Sequence, residues 1–420
     1  MQTKGRSIVA AIAGAVGFAA AAMHIESSVA ETRGPVTDPV GVVEIDKGEP
    51  LQIGVYQVLS GPDTANGVDQ KRAIEIAFAE RDNILVGHPV LLHIEDSQCT
   101  PEGGQTAATK LAAISDLVIV LGPSCSSEAT AGAPILWNAG IPSIGTSTSA
   151  PRLTAPERGL EFAGFLRTSY NDNDVGSSAA DWAYNVLGVR RATTIHDGSV
   201  YTEQLANVFA EQFTALGGTI TSREAVSPTD SDMRPVLTRI AADAPELIFY
   251  PVFVNAAGHI TRQAKEIDGL EETQLLGSDA VFTREMIVAA GRAVVGFSFV
   301  ANALEPDALG EGYPAFVERY KQTYGEAPIQ GSHHQAYDAA SIAIAAIEKA
   351  AVTNDEGDTY IGRQALLDAL YATRDHKGLT GILSCTEHGD CGHFNFAVYE
   401  FTNSDPESFS PGVNPKKVYP

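Results

Sequence analysis

Basic residues are scarce in this chain. Lys and Arg number 28 against 52 Asp and Glu, a formal net charge of −24. A surface of that sign repels nucleic-acid phosphates and anionic membranes, so no nucleic acid and no membrane surface is expected as a partner. Long apolar runs are missing beyond the first thirty residues, where no stretch approaches the about twenty residues of a membrane span. Phosphate motifs are missing as well: there is no G-x-x-x-x-G-K-[ST], and no G-x-G-x-x-G follows a strand-like run. No G-x-S-x-G elbow raises a nucleophilic serine.

What stands at the start is a targeting pattern. Lys4 and Arg6 precede an apolar stretch from Ile8 to Met23, and Ser28-Val29-Ala30 offers small residues for cleavage. Residues 1–30 therefore predict a signal peptide that is removed, and an exported, periplasmic protein. The polar segment 31–49 reads as a flexible leader. The rest of the chain exceeds one ordinary hydrophobic core and favours two domains.

Cysteines are few and even in number, four in all. In an oxidising compartment that predicts disulfides. Cys99 and Cys125 each follow an apolar strand-like run, so neighbouring strand ends could bring them together. Cys385 and Cys391 flank Glu387-His388-Gly389-Asp390, the chemistry of a short hairpin. Cys385, His388, Cys391 and His393 also have the residue types of a zinc site, but zinc needs reduced thiols. No metal and no cofactor is expected.

From Leu51 onward the pattern alternates. Predicted strands 53–58, 90–94, 117–121, 141–144 and 162–168 are separated by helices 69–81, 105–114 and 127–138. The alternation restarts with helix 175–187 and strand 192–196, then continues through helices 203–216, 233–241, 256–267 and 284–291. Strands 219–225, 247–252 and 274–276 lie between them. Regular βαβ units predict an α/β fold of two doubly wound parallel-sheet lobes. Helical segments 312–324, 332–350 and 363–371 are expected to return to the first lobe. Strands 382–384 and 396–401 are expected to complete the second. The expected division is 50–168 and 302–381 for lobe one, 169–301 and 382–420 for lobe two, joined by a hinge.

Two hydroxyl-rich loops follow buried strands: Gly122-Pro-Ser-Cys-Ser-Ser-Glu128 and Gly145-Thr-Ser-Thr-Ser-Ala-Pro151. Such loops lie at the carboxyl edge of an open sheet, where ligands bind. Ser126, just before helix 127–138, has the unpaired N–H groups and partial positive charge of a helix start beside it. Ser147 and Ser149 add donors, and together they suit a small carboxylate. An ammonium would need an acid from the opposite lobe. Asp279, just past strand 274–276, is the candidate, with the alternative that it caps helix 282–291. Tyr201 ends the 192–196 unit nearby. His196-Asp197 offers a base to a serine nucleophile only if the strand end reaches the loops, and a strand-end structural role competes. His333-His334 reads as a cap or lobe-interface pair.

Ile53-Gly-Val, Ser60-Gly-Pro62, Leu121-Gly-Pro-Ser-Cys-Ser126, Ser149-Ala-Pro-Arg-Leu-Thr154, His196-Asp197 with Tyr201, and Gly277-Ser-Asp279 occur in this order. The ordered set resembles the type I periplasmic binding proteins, specifically the leucine/isoleucine/valine-binding group. The resemblance implies a non-enzymatic binding protein, expected as a monomer, that delivers an amino-acid-like ligand to an ABC transporter permease. It implies Ser126 and Ser149 on the ligand carboxylate, the Ser147 carbonyl on the ammonium, and Tyr201 and Asp279 closing from the second lobe. It also implies a Cys99–Cys125 disulfide and hinge crossings near Thr168, Asn302 and Ile382. Asn66 and Ser332 stand where that group often has aromatic residues, and Phe253 keeps one aromatic candidate. Asp279 replaces a longer Glu, and the Cys385/Cys391 hairpin is an addition. A side chain more polar or larger than leucine is therefore expected. A sensory receptor domain, a urea- or amide-binding relative and a secreted serine hydrolase are the competing readings.

Overall fold

The structure, a computed structural model, describes residues 30–303, 308–392 and 394–420. The expected targeting segment lies outside them except for Ala30, as does His393 of the zinc alternative. Continuous apolar runs build the first sheet. Leu51–Gln57, Leu117–Leu121, Ser143–Gly145 and Phe165–Arg167 are strands with nearly every side chain buried. Parallel strands covered on both faces require this. With His88–Asp96 and the short Ile84–Leu85 they form six strands, in the order 84–85, 88–96, 51–57, 117–121, 143–145, 165–167. Only the Ile84–Leu85 edge pairs antiparallel.

The second sheet has seven strands. Its order is Thr219–Ala225, Arg191–His196, Leu247–Phe249, Gln274–Ser278, Ser298–Asn302, Phe396–Glu400, Lys416–Tyr419. The first five run parallel, and the last two close that edge antiparallel. Helices Tyr313–Tyr324, His333–Ala350 and Arg363–Tyr371 return to the first lobe, where Phe316, Ile342, Ile347 and Leu370 share a core with Ile53 and Val55.

Three expectations need correction. The segment 31–49 is not a flexible leader. Glu31–Arg33 pairs with Val36–Asp38, and Val42–Ile45 pairs with Thr359–Gly362. Val42, Val43 and Ile45 are buried, and Asp38 accepts the N–H groups of Gln364 and Ala365 at 3.1 Å each, capping a helix more than three hundred residues away. The strand expected at 382–384 is Gly381–Leu383, and it pairs with His376–Gly378 instead of joining the second sheet. Leu383, Cys385 and Cys391 pack in the first lobe's core. Several helices also start earlier than apolar spacing suggests, because caps set the start. Thr100 caps Pro101–Ala112 and Asn171 caps Asp172–Asp181 through their side chains.

The chain leaves the first lobe after Arg167, returns after Asn302, and leaves again after Cys391 rather than at the crossing expected near Ile382. Side-chain bonds tie the crossings together. Thr168 Oγ1 donates to the Gln335 carbonyl at 2.8 Å, and Asn302 Nδ2 lies 2.9 Å from His334 Nε2. Burial holds the His334 imidazole well below its usual range, followed by the influence of His333, so it stays neutral. His333 Nδ1 bonds Asp69 at 2.9 Å, so the two histidines serve the hinge and the first-lobe core separately.

Candidate functional site

Strand Leu117–Leu121 runs into Gly122, whose φ of +123° suits only glycine, and a Cβ there would collide with the Tyr56 carbonyl. The loop feeds helix Ser126–Asn138, so Ser126 is its first residue rather than the one before it, and Cys125 is the N-cap. Glu128 completes that cap, accepting the N–H of Cys125 at 2.8 Å and that of Cys99 at 2.5 Å. Burial pushes its carboxyl up to about 7, against hydrogen bonds from Ser97, Cys125 and Cys99 that favour the ionised form. Cys99 and Cys125 form one disulfide, and Cys385 and Cys391 the other. The zinc alternative therefore loses two of its four ligands to each other. Native protein is expected to show no reactive thiol, and four after reduction in denaturant; any thiol titrated without reductant would contradict the pairing.

The hydroxyls of the first jaw are already engaged. Ser126 Oγ accepts the Ala150 N–H at 3.1 Å, which leaves its own proton to donate. Ser147 Oγ donates to the Ser124 carbonyl at 2.6 Å and accepts from Gln70 Nε2 at 2.8 Å. Ser149 Oγ lies 3.0 Å from Asp172 Oδ2. Asp172 was not singled out from the sequence, yet it is fully buried with Oδ1 unpartnered. Burial raises its carboxyl well above the usual range, and Asp279 adds to this, while Ser149 and Arg167 pull it down. The protonated form frees the Ser149 proton for a ligand oxygen; the ionised form claims it.

The second jaw is built from strand ends. Tyr201 is the second residue of helix Val200–Ala215, which Ser199 caps. Its hydroxyl lies 2.6 Å from Ser278 Oγ and donates to Asp279 Oδ1 at 3.1 Å. Asp279 opens a short turn, Asp279–Val281, and does not cap the following helix. That helix is Arg284–Ala290, and Thr283 caps it. Burial raises the Asp279 carboxyl, and hydrogen bonds from Tyr170 and Tyr201 hold it down. Phe253 lies 5.5 Å from Tyr201, ring centre to ring centre. His196 does not supply a base to Ser126: its Nδ1 accepts the Gly198 N–H at 3.1 Å within the turn after its strand.

Ser126, Ser147, Ser149, Tyr201, Phe253 and Asp279 all line one cleft between the lobes, together with Asn66 and Ser332. Its space, open mouth included, is about 620 Å³. Hydroxyl donors line it from the first jaw, and the acid Asp279 lines it from the second. The family model for periplasmic binding proteins matches residues 50–403. The chain belongs to that family. A curated relative, the Leu/Ile/Val-binding protein BraC3 of Rhizobium johnstonii, is 24% identical over 84% of this chain and 91% of its own length. The leucine binding protein LivK of Thermotoga maritima superposes with a TM-score of 0.75 at 25% identity, covering 84% of this chain and 96% of that one. A solute binding protein of an ABC transporter from R. palustris, solved with benzoate, shares the fold with a TM-score of 0.73 at 20% identity, over 88% and 96% of the two chains. This periplasmic binding protein has a type I, two-lobed fold, and its relatives include Leu/Ile/Val-binding proteins.

Proposed function

We propose that this protein captures an amino acid or a close relative between its lobes in the periplasm and delivers it to the permease of an ABC transporter. The observation that carries the reading is that the donors around Ser126 and the acid Asp279 face one cleft from opposite jaws. A zwitterion has matching ends, and ligand contacts on both jaws favour the closed state over the open one, which drives closure. Hydrogen bonds to charged groups contribute about 1.5–3 kcal/mol each. Three or four of them, less ordering costs, reach about 8 kcal/mol and micromolar affinity. On this reading the signal peptide is removed, the protein acts as a monomer, and Phe253 with Tyr201 forms the one aromatic wall of the side-chain space. Among the described residues the cleft lining includes no histidine to activate Ser126, which disfavours a hydrolase.

A thermal-shift screen against the standard amino acids, amides and small carboxylates tests the proposal. At least one α-amino acid is expected to raise the melting temperature by several degrees, through binding to the folded state alone. Stabilisation by urea, amides or benzoate alone, with no amino acid active, would refute it.

A further inference from the structure

We propose that the ligand carries a second positive charge on its side chain, as a basic amino acid does. The inference rests on the amino-acid reading of the same cleft and names the class within it. Among the described residues the lining holds three carboxylates, Asp63, Asp279 and Glu285, and no Lys, Arg or His. A neutral zwitterion engages Asp279 with its ammonium and brings no net charge. Asp63 on the first jaw and Glu285 on the second would then be enclosed together uncompensated, and like charges drawn into a closing cleft cost free energy. A distal ammonium or guanidinium removes that cost.

Other features point the same way. Glu285 Oε2 is buried without a hydrogen-bond partner, although the residue lines the cleft. Beside the apolar Phe253 and Val254, the walls that would meet a side chain carry the polar groups of Asn66, Thr283, Gln330 and Ser332. Their acceptor oxygens suit a cation better than a branched alkyl group, which would leave them unpaired. Asp172, fully buried with Oδ1 unpartnered, stands behind Ser149 as a further acid of the site. Asp63 is held up to about 6, first by burial and then by Asp197 of the opposite lobe. A cation placed there favours its ionised form and lowers that value.

Calorimetry with L-arginine and its uncharged isostere L-citrulline, and with L-lysine and L-norleucine, separates the outcomes. The basic member of at least one pair is expected to bind tenfold or more tightly than its isostere. Glu285→Gln is expected to narrow that ratio at least threefold. Repeating the titration at pH 6 in buffers of different ionisation enthalpy is expected to show proton release with the basic ligand. Equal affinity within both pairs, or tighter binding of the uncharged member, overturns the cationic class and leaves the amino-acid reading standing. If none of the four binds while another amino acid does, the cationic class is again overturned. If no amino acid binds, both readings fail.

Discussion

Asp279→Ala is expected to weaken binding of the amino-acid ligand by about 3 kcal/mol, roughly a hundredfold, with little change in melting temperature. The loss follows from removing one member of a buried, hydrogen-bonded charge pair, which costs about 2–5 kcal/mol because the other charge stays buried alone. Stability should hold because burial of the carboxyl is unfavourable to its ionised form and raises its pKa, against hydrogen bonds from the Tyr170 and Tyr201 hydroxyls and from the backbone of Asp279 and Ala280. Asp279→Asn keeps most of those hydrogen bonds and loses the charge, so it should bind nearly as weakly as the alanine variant. The pH dependence has a definite sign. An ammonium needs the ionised acid, so affinity should rise as pH climbs through the raised folded value of Asp279, with Asp172, Tyr170 and Tyr201 as the titratable neighbours. Isothermal titration of the three proteins at several pH values is the measurement. An alanine variant that binds within threefold of the unmodified protein would remove Asp279 from the ligand's ammonium.

Much of this architecture was legible in the sequence, and the reason is local. Runs such as Leu117–Leu121 are buried on both faces, so each announces its own strand without reference to the rest of the chain. The hydroxyl loops were legible for the same reason, since each directly follows such a strand. What escaped depends on partners far away. Val42–Ile45 looks like part of a polar leader until Thr359–Gly362 lies beside it. Asp172 is an ordinary helix-start acid by sequence, and only the fold sets it 3.0 Å from Ser149 and within the field of Asp279. Asp63 and Glu285 come from different lobes and line one cleft only in the fold. For Asp279 the local rule for Asp at a helix start offered a cap as the alternative to ligand contact, and Thr283, four residues on, takes that part.

Arg167→Met is expected to destabilise the protein by about 3–5 kcal/mol, the cost of breaking a buried ion pair from one side. Arg167 is fully buried at the end of the last first-lobe strand, and its Nε meets Asp390 Oδ1 at 2.5 Å. Its other nitrogens donate to the Thr148 and Ala150 carbonyls at 3.1 and 2.9 Å and to Thr154 Oγ1 at 2.6 Å. Three parts of the molecule converge on that one fork: the hydroxyl loop, the first hinge crossing and the Cys385–Cys391 hairpin. The hairpin backbone adds to the joint, with Arg167 N–H donating to the Gly389 carbonyl at 2.9 Å and Cys391 N–H to the Arg167 carbonyl at 3.0 Å. Methionine fills similar volume but leaves two loop carbonyls and the Asp390 carboxylate short of a donor. Lysine keeps the charge yet cannot fork to several acceptors at once, so Arg167→Lys should recover only part of the loss. Because Ala150 also donates to Ser126 Oγ, loosening its carbonyl should disturb the carboxylate end of the cleft and lower ligand affinity as well. Denaturant unfolding of both variants, with calorimetry on the folded fraction, decides the matter. A methionine variant within 1 kcal/mol of the unmodified protein would mean the hinge draws its rigidity from the backbone and the disulfide, not from this side chain.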